Sequence, residues 1–189
     1  MARDKGVSIE VIPSGRDGNL CIDTLENMID ENVKLISATH IPTNSGLINA
    51  VSDIGKVAKK YNIYFLVDAC QSVGQMPIDV DEIGCDMLSA TGRKYLRGPR
   101  GVGFLYVRKS IIRKLHPPII DLRSADWLNS NEYKLKEDAQ RFESWESNYA
   151  AVLGLGSAVD YALNLGLNNI QLRNTELASY LRTCLKKID

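Results

Sequence analysis

Two short apolar runs constrain this sequence more than anything else in it. Ile63-Tyr64-Phe65-Leu66-Val67-Asp68-Ala69 and Asp86-Met87-Leu88-Ser89-Ala90 each read as a buried strand that hands over to polar residues. A strand with no water-facing side belongs in a parallel sheet covered by helices. Asp68 closes the first run, and Lys94 stands just past the second. Ligands of open α/β sheets bind outside the carboxyl ends of the strands, so a carboxylate and an amine share one rim.

The flanking chain supports a β-α-β alternation with right-handed crossovers. Residues 7–13 alternate like a strand, and residues 14–19 form a turn rich in glycine and polar side chains. Asp23 with Glu26 three residues on predicts a capping box opening a short helix through Ile29. A strand is expected over residues 33–40, then a loop, then a helix over 50–61 with Val51, Ile54, Val57 and Ala58 on one face. After Lys94, a glycine-rich turn lets the chain double back into a strand at 103–107. Residues 121–146 give no clear periodicity; Trp127, Phe142 and Trp145 either line a pocket or anchor a long connection. Two helices complete the chain, Asn148 to Leu165 and a second with Ile170, Leu177, Leu181, Leu185 and Ile188 on one face. Gly154 and Gly156 would let a neighbour approach the first.

An acid and a lysine at one rim suit a particular chemistry. A lysine that forms an imine must spend time as the neutral amine, which neighbouring cations or burial favour. Arg93, Arg97 and Arg100 surround Lys94. A carboxylate beside an aromatic nitrogen keeps the ring protonated and able to accept electrons. Together these are the protein's half of pyridoxal phosphate chemistry.

The same residues carry a family resemblance. Asp68, Gln71, then Thr91-Gly92-Arg93-Lys94 and the turn Gly98-Pro99-Arg100-Gly101-Val102-Gly103 resemble the class V aminotransferases, the fold type I branch that includes cysteine desulfurases, C-S lyases and isopenicillin N epimerase. The resemblance implies an α/β fold: the large domain of a fold type I transferase, its sheet mostly parallel with one antiparallel strand at 103–107. It implies pyridoxal 5'-phosphate as cofactor, an amino acid as substrate, a Schiff base at Lys94, and Asp68 at the ring nitrogen. Gln71 would meet the ring hydroxyl, and Thr91 and Arg93 the phosphate. Two features depart from the pattern. Arg93 replaces the family's histidine, and three residues separate Lys94 from Gly98-Pro99, one more than in typical desulfurases. That spacing is closer to the C-S lyases and points to β-elimination, with aminotransfer or epimerisation as the alternative. In the loop from His40 to Gly46, Thr43 stands where the family has an asparagine, with Asn44 beside it. Either reaches the cofactor or substrate, or both simply build the turn. His40 reads as a hydrogen-bonded residue at a strand end. Cys70 reads as a structural thiol, because desulfurases carry their persulfide cysteine in a C-terminal loop.

Family members are longer, and the resemblance covers only their middle portion, so an incomplete large domain is expected. Residues 1–120 form the cofactor-binding part, and 121–189 a connection toward a small domain. The segment preceding Met1 would supply the phosphate cradle, and the one following Asp189 the substrate-carboxylate arginine. A chain lacking both would be a catalytically incomplete piece acting only in dimerisation. The family also implies a homodimer, with cross-subunit contact at Gly98–Gly103.

Charge and cysteines bound the remaining classes. With 23 basic and 23 acidic residues there is no global pull toward nucleic acid or anionic membranes. Residues 87–120 carry eight basic residues and no acid. Arg93 to Arg100 read as an electropositive pocket, and Arg108 to Lys114 as a solvated face. The four cysteines show neither metal-ligand spacing nor a secreted framework, and no apolar run is long enough to span a bilayer. A cytoplasmic protein without a metal site is the expectation.

Overall fold

Strands buried in the middle of a sheet need partners on both edges, and β2 (Tyr64–Asp68) has them. In the computed structural model, which describes residues 3–16, 18–44 and 46–188, β2 pairs in parallel with β1 (Leu35–Thr39) and β3 (Met87–Thr91). β4 (Gly103–Val107) runs antiparallel to β3, giving the order β1-β2-β3-β4. The architecture is α/β with a mixed, mostly parallel sheet, as the family resemblance implied.

One face of this sheet holds the core. Ile36, Ala38, Phe65, Val67 and Leu88 point to it and meet Val51, Ile54, Val57 and Ala58 of α2 (Val51–Lys60), with Leu25 of α1 (Ile22–Asn27) behind them. Phe65, Val67 and Ile54 are fully buried, each worth about 1.5–3 kcal/mol of apolar transfer. Gly55 lets α2 touch the next crossover element, α3 (Val80–Ile83), because a Cβ there would lie 1.9 Å from the Ile83 carbonyl oxygen. The opposite face, carrying Tyr64, Leu66, Asp68, Met87 and Thr91, is only half covered. At its amino-terminal end, Ile111, Ile112 and Phe142 pack against Tyr64 and Met87.

Several expectations are corrected. Residues 7–13 form no strand: no neighbouring strand pairs with them among the described residues, and Val7, Ile9 and Val11 are exposed. The turn after them does close, through Gly15 N–H to the Asn19 carbonyl at 2.7 Å, although Asp17 lies outside the described residues. Helix α1 runs from Ile22 to Asn27 with Cys21 at its N-cap and no side-chain cap, which leaves Asp23 as a first-turn acid and not a capping residue. Arg108 is not on a solvated face: its guanidinium donates to the carbonyls of Cys85 (2.9 Å) and Val80 (3.1 Å) and pairs with Asp81 at 2.7 Å.

Residues 121–146 fold as the hairpin of β5 (Ala125–Asn129) and β6 (Glu132–Leu135), followed by a single 3₁₀ turn. Buried Arg141 ties this segment to the body by donating to the carbonyls of Ile112 (2.6 Å), Lys136 (2.8 Å) and Leu115 (3.3 Å). Of the three aromatics, Phe142 anchors, whereas Trp127 and Trp145 are exposed.

Asn148 caps α4 (Tyr149–Leu165) by accepting from Ala151 N–H at 3.0 Å. Gly154 of α4 faces Pro99, where a Cβ would sit 2.8 Å from Cγ, but Gly156 faces open space and permits no close approach. On α5 (Leu167–Leu185), the predicted apolar face stays uncovered: Leu177, Leu181 and Leu185 are exposed, and Ile188 lies past the helix end. Among the described residues no single helix is long and apolar enough to cross a membrane.

Candidate active site

The carboxyl ends of β1, β2 and β3 meet at one rim. Parallel register sets Thr39 beside Asp68 and Asp68 beside Ser89, so these side chains share a face, and Thr91 follows two residues after Ser89 on that same face. The His40 amide continues the ladder by donating to the Asp68 carbonyl at 2.9 Å. Asp68 does not cap a helix. Its Oδ1 accepts from the Cys70 amide at 2.9 Å, a local turn that fixes the carboxylate at the strand end.

The Cys70 thiol reports what surrounds it. Burial pushes its pKa up, and the neighbouring Asp68 carboxylate pushes in the same direction; Lys94 and the Thr91 amide oppose them. The half-buried sulfur thus feels the Asp68 carboxylate, the Thr91 amide and, through space, the Lys94 charge. The thiol stays protonated near neutral pH.

Lys94 sits on a loop closed at its base. Gly92 N–H donates to the Val102 carbonyl and Gly98 N–H to the Gly92 carbonyl, both at 2.8 Å. Gly103 permits this, since a Cβ there would come 2.3 Å from the Ala90 carbonyl oxygen. Gly74, at φ +89°, lets the Tyr95–Leu96 backbone settle against it.

The second part of the cluster comes from the loop after β1. Gln71 Nε2 donates to Thr43 Oγ1 at 2.8 Å, joining residues 28 positions apart. Asn49 holds the other end of that loop, its side-chain amide donating to the Thr39 carbonyl at 2.7 Å and its backbone N–H to His40. No sequence signal marked Asn49. Asn44 is exposed and makes no hydrogen bond to the cluster, and Ser45 lies outside the described residues. Arg93 is exposed beside Lys94. His40 is buried with its Nδ1 unpartnered, so the expected side-chain hydrogen bond at the strand end is not made there. Two apolar cavities, of about 410 and 520 Å³, lie under the β5–β6 hairpin and between the sheet and α4, and none of these residues lines either.

The donor set fits pyridoxal phosphate: a carboxylate with acceptor capacity left, an amide, a hydroxyl, and a half-buried primary amine next in sequence to an exposed arginine. The aminotransferase class-V family model matches residues 1–189. The chain belongs to the class V aminotransferase family. It is 32% identical over 189 residues to a probable cysteine desulfurase of Halalkalibacterium halodurans, covering all of this chain and 46% of that protein. A cysteine desulfurase of Yersinia pseudotuberculosis is 34% identical over the same length, again with 46% covered. The solved structure of an apo cysteine desulfurase from Thermococcus onnurineus superposes with a TM-score of 0.90 at 31% identity, over 98% of this chain and 46% of that one. The chain spans about half the length of the curated relatives it matches.

Proposed function

We propose that this chain carries the cofactor lysine of a pyridoxal phosphate enzyme that cleaves a C–S bond of an amino acid by β-elimination. The observation that carries the reading is the parallel register that sets Asp68 beside Ser89, with Thr91 closing the same strand and Lys94 three residues past it, at the carboxyl rim of the sheet. When bound, the cofactor supplies an electron sink for a carbanion at the substrate's α-carbon.

The chain's own residues do the rest. Lys94 Nζ would hold the cofactor and would be the base that takes the proton from the substrate's α-carbon. The electron pair of the broken C–S bond leaves with the sulfur. Asp68, pinned by the Cys70 amide, keeps the ring nitrogen protonated. Thr91 and Arg93 bind phosphate, Arg93 through its planar donor fork. Gln71, steadied by Thr43, has a second amide hydrogen for the ring hydroxyl. Asn44, exposed on the same loop, would meet the substrate.

The reading includes a homodimer, supported by exposed apolar side chains along α4 and α5 such as Leu153, Tyr161 and Leu181. It also includes a cytoplasmic setting, supported by four free cysteines.

The test is to add pyridoxal phosphate, reduce with borohydride and map the labelled peptide. Label at Lys94, lost in Lys94→Ala, is expected; label scattered over surface lysines refutes the site. Pyruvate, ammonia and a released thiol or sulfide from a thioether amino acid or cysteine would establish elimination. A keto acid without sulfur release, or racemised substrate, would establish transfer or epimerisation instead.

A further inference from the structure

Two non-glycine residues among those described have positive φ, Asn62 at 54° and Arg97 at 61°. Asn62 follows the last turn of α2, where asparagine commonly adopts this conformation. Arg97 has no such excuse. It stands three residues after Lys94, and its backbone N–H closes a turn on the Lys94 carbonyl at 2.9 Å. A long side chain persists in that region of backbone space only where its surroundings hold it.

The surroundings are specific. The Arg97 guanidinium lies over the ring of Tyr161 on α4, 4.9 Å from its centroid. Leu155 and Gly154 of the same helix press on the loop: Leu155 Cδ1 lies 2.9 and 3.1 Å from where a Cβ would stand on Gly92 and Gly98, and Gly154 faces Pro99. On the other side, the Tyr95–Leu96 backbone rests on Gly74, and Leu96 is buried. The loop bearing Lys94 is gripped between the turn after β2 and helix α4. Arg97 is the one side chain of its tip reaching across to that helix by a charged contact.

We propose that Arg97, latched over Tyr161, is a positioning residue for Lys94. The contact is made on the outer surface of the loop, and its effect passes through the 94–97 turn to the lysine backbone. Tyr161 acts as the fixed end of the latch because α4 is anchored by Ala151 and Ala162, both buried. The proposal rests on Lys94 being the cofactor lysine.

The experiment uses the intact protein with Tyr161→Leu, Tyr161→Phe and Arg97→Gln. Tyr161 and Arg97 are both exposed, so the variants keep the core. Two quantities are read: amide hydrogen exchange of residues 93–98 without cofactor, and the pH midpoint of the visible band with pyridoxal phosphate bound. Tyr161→Leu should raise exchange about two- to fivefold, the range a single exposed cation–π contact supports, and should move the midpoint. Tyr161→Phe keeps the ring and should match the wild type in both. Arg97→Gln makes the same demand on the backbone yet lacks the cation, and should behave like Tyr161→Leu. Wild-type exchange and midpoint in Tyr161→Leu, with Lys94 labelled normally in the parent, would overturn the latch alone. Absence of label at Lys94 in the parent would overturn the cofactor reading and Arg97's purpose with it.

Discussion

Three glycines separate two effects that a mutation usually mixes. Gly74 has φ +89°, and a Cβ there would stand 2.6 Å from the Tyr95 carbonyl carbon and 2.7 Å from the Leu96 nitrogen. Gly101 has φ +79° with nothing within 4 Å, and Gly156 on α4 has neither a positive φ nor a neighbour. For Gly101→Ala only the left-handed backbone is penalised, by about 1–2 kcal/mol. Gly74→Ala adds a collision with backbone atoms that cannot swing aside, worth about a further 1–3 kcal/mol of overpacking. Its total is about 2–5 kcal/mol. Gly156→Ala should stabilise by about 1 kcal/mol through helix propensity. Urea unfolding of the three variants at constant m-value reads these differences as midpoint shifts. The Gly74 collision falls on the loop that carries Lys94, so borohydride labelling of Lys94 should slow in Gly74→Ala and not in Gly156→Ala. If Gly74→Ala proved no more destabilising than Gly101→Ala, the packing of the lysine loop against Gly74 would be wrong.

Other perturbations address the buried groups. His40, buried and unpartnered at Nδ1, has its pKa lowered by burial, so the unfolded chain takes up the proton first. Stability is then full above about pH 6.5 and declines as the pH falls below it, a slope that His40→Leu should flatten in unfolding curves at pH 5–7. Burial and Asp68 raise the Cys70 thiol, burial pushes Cys85 up to about 11, and hydrogen bonds from Thr24 lower half-buried Cys21. Iodoacetamide should therefore modify Cys21 first and Cys85 last, as mass spectrometry of timed samples will show. Arg141→Leu leaves the Ile112, Lys136 and Leu115 carbonyls without their donor and should cost about 1–3 kcal/mol in the same urea assay.

What the sequence made legible follows from the range of the interactions involved. The sheet from β2 to β4 was readable because burial on a strand is local and repeats along the run, and because the family resemblance supplied the antiparallel direction of the strand at 103–107. Helix α2 was readable from a single apolar face. Residues 7–13 show the limit: alternation describes a strand's faces, whereas a strand exists only where an edge is offered to it. Arg108 and Arg141 show another. Both sit in ordinary polar company in the chain, and both are drawn inward by backbone carbonyls of elements distant in sequence, Val80 and Cys85 in one case and Ile112 in the other. A basic residue's identity does not reveal whether carbonyls await it.

The candidate site divides along the same line. Asp68, Thr91 and Lys94 each lie within three residues of a strand's carboxyl end, so parallel pairing alone carries them to one rim, and the spacing carried that information. The contact of Gln71 with Thr43 depends on how far two loops lean toward each other, and Thr43 occupies the position where the family pattern has a longer side chain. The Arg97–Tyr161 contact lies further still from local rules, joining a strained backbone position to a helix more than sixty residues on. On the proposed reading, strand ends decide which groups can meet the cofactor, and the loops between them, set by contacts no motif records, decide how firmly Lys94 is held.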